Sequence, residues 1–264
     1  MSRSVLSRAL RGGGVTLPVP WPALASKVEP EPGFLVLCIG AATAGKSTFG
    51  LAWAYAIGRP ALFVSLDTDL RSQALRVAAM LRHLPVDQVK QNPDTHSAWL
   101  ARQRYPVRWS DTPISAKELG EVLEAEREYG GTYPELVVLD SLGDFVKEET
   151  YESYVNTLSD LKKCAKKYKT VILALHHLHK GADPTATVDL ADVLYSGDKQ
   201  PEIVLGICRP TPDVMRVSIN KNRMGACSRD GNFYAELACD MSMAQVRSFT
   251  QIEEYTRSFK GAGT

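Results

Sequence analysis

The 264-residue sequence lacks the features that mark membrane proteins, disulfide-stabilised proteins and strongly basic nucleic-acid-binding proteins. No apolar run approaches the roughly 20 residues that a membrane-spanning helix requires, so we expect no membrane association. The five cysteines are an odd number without CxxC spacing, which argues against a disulfide framework or a zinc site. Because the net charge is only +1, nucleic-acid contacts would have to come from a local patch or from several subunits in a ring.

The strongest functional signal is a glycine-rich stretch at residues 40–48. It reads GAATAGKST and matches the phosphate-loop pattern GxxxxGK[ST] at every defined position. An apolar run precedes it and a helix-forming segment follows it, which is the context that such a loop needs. The glycines let successive backbone N–H groups point inward at the start of a helix, where they form a nest for anions. The sequence therefore predicts a site for a nucleoside triphosphate. The predicted binding residues are Gly40, Ala41, Ala42, Thr43, Ala44, Gly45, Lys46, Ser47 and Thr48.

Three side chains have predicted roles around the phosphates and the Mg²⁺ ion. Lys46 is placed to reach the β- and γ-phosphates of ATP, and the Ser47 hydroxyl is placed to ligate Mg²⁺. Asp140 ends another apolar strand and is predicted to complete the Mg²⁺ shell. A strand-end aspartate that only caps a turn is the alternative for Asp140.

Two further strand ends carry candidate catalytic groups. Asp67 is predicted to orient or deprotonate the attacking water. The alternative is that it caps the following helix, and Asp69 competes for either role. His176 and His177 are adjacent on a strand and point to opposite faces, so they do not readily ligate one metal ion. We expect one of them to sense the γ-phosphate and the other to be an ordinary strand-end histidine.

Alternating apolar strands and helical segments predict an α/β fold with a mostly parallel sheet flanked by helices and a C-terminal antiparallel hairpin. The helical periodicity covers residues 70–84, 115–129 and 151–168, and residues 87–104 stay unassigned. We expect a basic N-terminal arm and linker at 1–29, an ATPase domain at 30–240 and a C-terminal tail at 241–264.

The first 28 residues contain four basic side chains and no acidic one. Serines among the arginines are typical of a mitochondrial presequence, but the segment soon breaks at three glycines and several prolines. We therefore expect an arm followed by an extended lead-in. Because the compact core without accessory domains is typical of a phage or plasmid accessory protein, we expect a cytoplasmic location in a bacterium or a phage-infected cell. A mitochondrial matrix location is the alternative.

The order of these motifs resembles that of the RecA-fold ATPases, and within them the DnaB-type and plasmid RepA-type hexameric helicases. Residues 65–67, Ser-Leu-Asp, resemble the family's Ser-Leu-Glu, whose carboxylate is the catalytic base. Residues 175–180 resemble Leu-Ser-Gln-Leu-Asn-Arg and place His177 at the glutamine that senses the γ-phosphate. Residues 221–225 resemble the Lys-x-Arg-x-Gly hairpin. The resemblance covers roughly residues 30–240.

This resemblance implies a RecA-like core that binds ATP and Mg²⁺, assembles as a hexameric ring and acts on single-stranded DNA. Lys221 and Arg223 would reach the ATP of the neighbouring subunit and act in catalysis. Lys180 and Lys199 would contact nucleic acid from a loop facing the channel, although solvated loop charges are the alternative. One departure is Asp67, which is one methylene shorter than the family's glutamate.

Three classes of function stay open. The leading hypothesis is an ATP-driven ring helicase on single-stranded DNA, working with a replication or recombination partner. The second is a RecA- or RadA-like recombination ATPase that binds or anneals single strands. The third is a KaiC-like signalling ATPase that does not bind nucleic acid.

Overall fold

The computed structural model of the chain describes residues 15–146, 148, 150–179, 181–193 and 199–250. Lys180, one of the two predicted nucleic-acid contacts, lies outside the described residues, as do the arginines of the predicted N-terminal arm. Among the described helices, none has the length and apolarity to cross a bilayer.

A nine-stranded sheet forms the centre of the fold, in the order β3-β2-β4-β5-β1-β6-β7-β8-β9. The first six strands in this order, which run from β3 at the edge to β6, are parallel to one another. Strands β7, β8 and β9 continue the sheet in antiparallel pairing. The strands are β1 (Leu35–Gly40), β2 (Ala61–Ser65), β3 (Val107–Ser110), β4 (Leu136–Asp140), β5 (Val171–His177), β6 (Ile203–Thr211), β7 (Val214–Asn222), β8 (Tyr234–Asp240) and β9 (Gln245–Arg247). The predicted fold class is confirmed.

Helices cover the two faces of the sheet and bury the continuous apolar surface of its inner strands. The α-helices are α1 (Pro22–Ala25), α2 (Lys46–Ala56), α3 (Leu70–Arg82), α4 (Val86–Gln91), α5 (Pro93–Leu100), α6 (Leu119–Gly130) and α7 (Tyr151–Tyr168). Short 3-10 helices lie at Leu142–Phe145 and Leu190–Asp192. Every residue of β1, β2 and β4 is buried, which is why these strands read as uninterrupted apolar runs.

Local sequence signals set several helix boundaries. Helix α3 ends at Arg82 because the next residue, His83, adopts a left-handed conformation at φ 54°, so the helix is shorter than the predicted 70–84. Before α6, the Ser115 and Glu118 side chains exchange hydrogen bonds with each other's backbone N–H groups, which is a capping box. The unassigned segment 87–104 contains most of α4 and all of α5.

The folded core extends beyond residues 30–240 at both ends. Trp21, in the predicted linker, stacks on Phe49 of α2 with ring centroids 4.8 Å apart. Its indole N–H donates to the carbonyl of Val246 in β9 at 3.2 Å, and Trp53 donates to the carbonyl of Pro18. The N-terminal lead-in and the first residues after β8 therefore pack together against the helix that follows the phosphate loop.

Candidate functional site

The phosphate loop connects β1 to α2 at the carboxyl edge of the parallel strands. Gly45 precedes α2 with φ 97°, a left-handed conformation that glycine adopts without strain. Gly40 lies so close to β6 that a Cβ atom there would be 2.6 Å from the carbonyl oxygen of Ile207. Two of the motif's glycines are therefore required by the geometry of this loop, which supports the sequence assignment.

Lys46 lies inside the loop rather than in solvent. Its ammonium group donates to the carbonyls of Gly40 at 2.9 Å and Ala41 at 2.8 Å. Burial lowers the pKa of Lys46, and the Cys38 thiol and the carboxylates of Asp140 and Asp67 act in the opposite direction. A buried cation whose hydrogen-bond partners are neutral groups favours an incoming anion, which is the property that a phosphate site needs.

Ser47 and Asp140 form the polar pair to which Mg²⁺ ligation is assigned. The Ser47 hydroxyl hydrogen-bonds to the Asp140 carboxylate, while the second carboxylate oxygen, Oδ2, is buried without a hydrogen-bond partner. Burial and the Asp67 charge together raise the pKa of Asp140 to about 6, against the lowering effect of the Ser47 hydrogen bond. An unsatisfied buried carboxylate oxygen beside a hydroxyl fits a hard divalent cation. Among the described residues, no group of three or more His, Cys, Asp or Glu side chains has an arrangement that could hold a metal ion by itself.

The structure separates the roles of the two acidic residues after β2. Asp69 caps α3, since its carboxylate accepts the Ser72 N–H at 2.9 Å and the Ser72 hydroxyl at 2.7 Å. Asp67 instead lines the cavity beside the phosphate loop, and its backbone N–H donates to the carbonyl of Asp140 at 3.3 Å. Of the two acidic residues, Asp67 is thus the one that lines the cavity.

The two histidines at the end of β5 point to opposite faces, as alternation along a strand requires. His177 lines the cavity, and its Nδ1 lies 3.2 Å from the Lys46 ammonium. His176 is buried against Tyr154, with ring centroids 5.2 Å apart, and its Nε2 has no hydrogen-bond partner. His177 is therefore the one positioned to contact a phosphate.

The phosphate loop, Asp67 and His177 line one side of a cavity of about 670 Å³. The sequence does not predict which residues line the opposite side. That side consists of residues 85–87 and Lys90, together with Met241, Ser242 and Ala244 after β8. The Val86 N–H donates to the carbonyl of Ser242 at 2.8 Å, which joins these two segments. The volume exceeds what a triphosphate needs and leaves room for a nucleoside.

Arg209 is a site residue to which the sequence assigns no role. It lies just beyond the β6 residues that pair with β1, and its guanidinium donates to the Thr43 carbonyl at 3.1 Å. Its Nε is buried without a hydrogen-bond partner. Met215 and Met241 pack beside Gly45 on the same side, so the antiparallel strands brace the outside of the phosphate loop.

Lys221 and Arg223 lie at the other edge of the sheet. Val204 pairs with Lys221 and, on its other side, with Leu37, while Ile203 pairs with Asn222 and Val36. This places the end of β7 level with the start of β1, at the amino edge of the parallel strands. Lys221 and Arg223 each donate to the Lys199 carbonyl at 3.3 Å, so the structure groups these three predicted residues away from the phosphate loop of their own chain.

Comparison with known proteins shows the family and the fold of the chain. The AAA domain family matches residues 30–183. Gene 65 protein of Mycobacterium phage D29 is 25% identical over 232 residues, covering 81% of this chain and 99% of the relative. Gene 65 protein of Mycobacterium phage L5 is 27% identical over 263 residues, covering 91% of this chain and 96% of the relative.

Three solved structures share the fold. The ATPase domain of G40P has a TM-score of 0.78 at 14% identity and covers 93% of this chain and 96% of that domain. A DnaB-like replicative helicase, solved for its interactions with primase, has a TM-score of 0.77 at 15% identity. It matches 93% of this chain, which spans 65% of that helicase. The RadB recombinase has a TM-score of 0.56 at 17% identity, covering 88% of this chain and 99% of the recombinase. The chain therefore belongs to the AAA domain family and has the RecA-like P-loop ATPase fold of DnaB-like helicase domains.

Proposed function

We propose that the protein is an ATP-hydrolysing motor that assembles as a ring, with a hexamer as the expected size, and acts on single-stranded DNA. The main support for this proposal is that the predicted site residues lie at two opposite edges of the sheet. The phosphate loop, Asp67, Asp140 and His177 lie at the carboxyl edge, whereas Lys221 and Arg223 lie at the amino edge. One chain therefore holds an ATPase site without its predicted basic hairpin, and a second copy would supply it.

Each residue has a distinct role in the proposed hydrolysis. The phosphate-loop N–H groups and Lys46 bind the β- and γ-phosphates, and His177 contacts the γ-phosphate. Asp67 orients the attacking water and accepts its proton. Ser47 and Asp140 would hold Mg²⁺, which when bound neutralises charge on the phosphate oxygens. Arg223 and Lys221 of the neighbouring subunit stabilise the charge that develops as the γ-phosphoryl group leaves.

The proposed DNA contact lies near the same basic hairpin. Lys199 is exposed beside Lys221 and Arg223, and Lys180 is the second proposed contact. Acidic residues of the intervening segment are already engaged locally: Asp183 accepts from Thr185, and Asp189 accepts the Ala191 N–H. A single subunit would bind a phosphate backbone weakly, and a ring would add the contacts of its copies.

The resemblance to the RadB recombinase supports a second candidate, an ATPase that binds or anneals single-stranded DNA without directional unwinding. The five cysteines are all free thiols, which suits the reducing cytoplasm that we propose for either activity. A replication or recombination protein is the proposed partner.

The test combines the ATPase rate, with and without single-stranded DNA, with a mass measurement of the assembled protein. We expect a closed ring and a rate that DNA increases. Arg223→Ala should bind nucleotide normally and hydrolyse it about 10³-fold more slowly. Filaments whose DNA binding needs ATP but not hydrolysis would favour the recombination candidate. An ATPase rate that does not change with DNA would favour the signalling ATPase. Wild-type turnover in Arg223→Ala would disprove an ATPase site shared between two subunits.

A further inference from the structure

A buried polar network lies in β7 directly before the basic hairpin. Asn220 has an exposed fraction of 0% in a strand whose neighbours Val217 and Ile219 are apolar and also fully buried. Its Oδ1 accepts the Ser218 hydroxyl at 2.7 Å, and that hydroxyl also donates to the carbonyl of Gly206 at 3.2 Å. Burying an amide side chain destabilises the folded state unless the amide makes its hydrogen bonds. The hydrogen-bond partners of Asn220 therefore indicate its structural role.

The partners of the Asn220 amide are two segments outside the sheet. Nδ2 donates to the Val188 carbonyl at 2.7 Å and to the Arg229 carbonyl at 3.1 Å. Val188 belongs to the segment that follows His177, and Arg229 belongs to the connection that follows the hairpin. One side chain therefore joins the strand that carries Lys221 to both segments.

The same contacts close the base of the hairpin connection. The Ser228 N–H donates to the carbonyl of Ile219 at 2.9 Å, and the Leu190 N–H donates to the Arg229 carbonyl at 2.8 Å. At Gly231, with φ 77°, a Cβ atom would lie 2.6 Å from the Val188 carbonyl. Residues 187–190 and 228–231 are thus closely packed, and residues 223–227 are exposed beyond that base.

The segment held by Asn220 also begins at the nucleotide site. The Leu178 N–H donates to the carbonyl of Gly40 at 3.1 Å, and Leu178 directly follows His177. Further along, the Arg209 N–H donates to the carbonyl of Pro184 at 2.7 Å. The segment therefore runs from the phosphate loop across β6 to Asn220.

We propose that Asn220 is a positioning residue that fixes the direction of the Lys221–Arg223 hairpin, so that the hairpin reaches the nucleotide of the adjoining subunit. The inference rests on the proposed function, because it assigns a purpose to a hairpin that acts on a second copy. Asn220 touches no substrate. It acts through the bonds that hold the Val188 and Arg229 carbonyls to β7.

The test uses the full-length assembled protein with Asn220→Leu, which keeps a similar volume and removes both N–H donors. Binding of a fluorescent ATP analogue should stay within about threefold of wild type, since the phosphate loop is untouched, while turnover with single-stranded DNA falls about tenfold. Thr170→Val is the matched control. Thr170 is also 0% exposed but directly precedes β5, which β1 and β6 separate from β7 in the sheet, and its replacement should leave turnover unchanged.

Mixed assemblies separate positioning from a general loss of structure. Asn220→Leu subunits are unfolded and reassembled with Lys46→Met subunits, which have no turnover of their own but carry an intact hairpin. When an Asn220→Leu subunit lies next to a Lys46→Met subunit, its nucleotide site receives a correctly placed Arg223 from that neighbour. The turnover of the mixture should therefore be at least about threefold higher than the summed turnover of the two variants assembled separately. A merely destabilised subunit gains nothing from that neighbour. If the leucine variant does not fold, Asn220→Ala takes its place in the same mixture.

Three outcomes overturn the inference, and only one of them also overturns the proposed function. Wild-type turnover in Asn220→Leu would show that the amide positions nothing. Recovery in a mixture of Arg223→Ala with Lys46→Met, without recovery for Asn220→Leu, would keep the shared site and reject the role of Asn220. Absence of recovery in both mixtures would reject the shared site itself, and with it any hairpin for Asn220 to position.

Discussion

The Lys46 ammonium lies 3.2 Å from Nδ1 of His177, so the cation of the phosphate loop and the ring at the end of the adjacent strand face the same point. Burial and the Lys46 charge both lower the pKa of His177, which keeps its ring neutral near pH 7. A neutral ring accepts a hydrogen bond from Lys46 at Nδ1 and presents an N–H at Nε2. An arriving phosphate can therefore receive donors from both side chains.

His177→Gln should retain turnover within about fivefold of wild type, because the amide also presents one acceptor and a donor group. His177→Leu removes these groups and should lower the turnover number about 100-fold with little change in nucleotide affinity. The measurement is steady-state ATPase kinetics in the presence of single-stranded DNA. Equal rates for the two variants would show that His177 makes no contact of consequence with the reacting phosphate.

Lys46→Met should abolish nucleotide-induced stabilisation. A ligand at 100 times its Kd stabilises the folded state by about 2.7 kcal/mol, and a loop without the ammonium loses most of that affinity. The measurement is the Tm with and without MgATP. Lys163→Met is the control, because Lys163 pairs with Asp160 on the exposed face of α7 and should keep the full shift in Tm. A wild-type shift in Lys46→Met would place the nucleotide elsewhere.

The central part of the site follows from local sequence. The glycine spacing predicts the roles of Lys46 and Ser47. Asp140 is predicted because it is the last residue of a buried apolar strand, and Asp67 because it lies two residues after another. Alternation along β5 separates His176 from His177 before any coordinates are known. In each case a backbone geometry that spans a few residues decides where the side chain points.

Other parts of the site depend on contacts between segments distant in sequence. Arg209 reaches Thr43, 166 positions away, only because β6 lies beside β1 and extends past the loop. Gln245–Arg247 is a three-residue strand, too short to show a period, and it exists because β8 and Trp21 offer partners. In the sequence, Asn220 is only a polar residue within a strand. Its role is apparent only from its hydrogen bonds to the Val188 and Arg229 carbonyls. Sheet order and register determine these contacts, and no local pattern encodes them.

Arg209→Met should raise the KM for ATP about tenfold while changing the turnover number little. Arg209 holds the Thr43 carbonyl at the crest of its own phosphate loop, and a hydrogen bond to a charged group contributes about 1.5–3 kcal/mol. Arg223→Ala should show the opposite pattern, since its contact is made as the phosphoryl group leaves. Arg216→Met is the control, because Arg216 pairs with Glu236 on β8. A fall in turnover without a change in KM would move Arg209 into the chemical step.

Acid should destabilise the fold through His176. Burial, together with the neighbouring His177 and Lys46 charges, lowers its pKa to about 4. Because an unfolded histidine titrates near 6.5, the unfolded state binds more protons between pH 6.5 and pH 4. The contribution to stability is complete above pH 6.5 and is lost as the pH falls toward 4, by up to about 3 kcal/mol.

The measurement is the free energy of unfolding in urea at several pH values for wild type and His176→Leu. Leucine has no proton to bind, so the variant should show a shallower decline between pH 6.5 and pH 4. His177→Leu is the control: His177 is exposed at the cavity, so its removal should change the slope less. Parallel curves for wild type and His176→Leu would mean that the buried ring takes up its proton without unfolding, despite an Nε2 that has no partner against Tyr154.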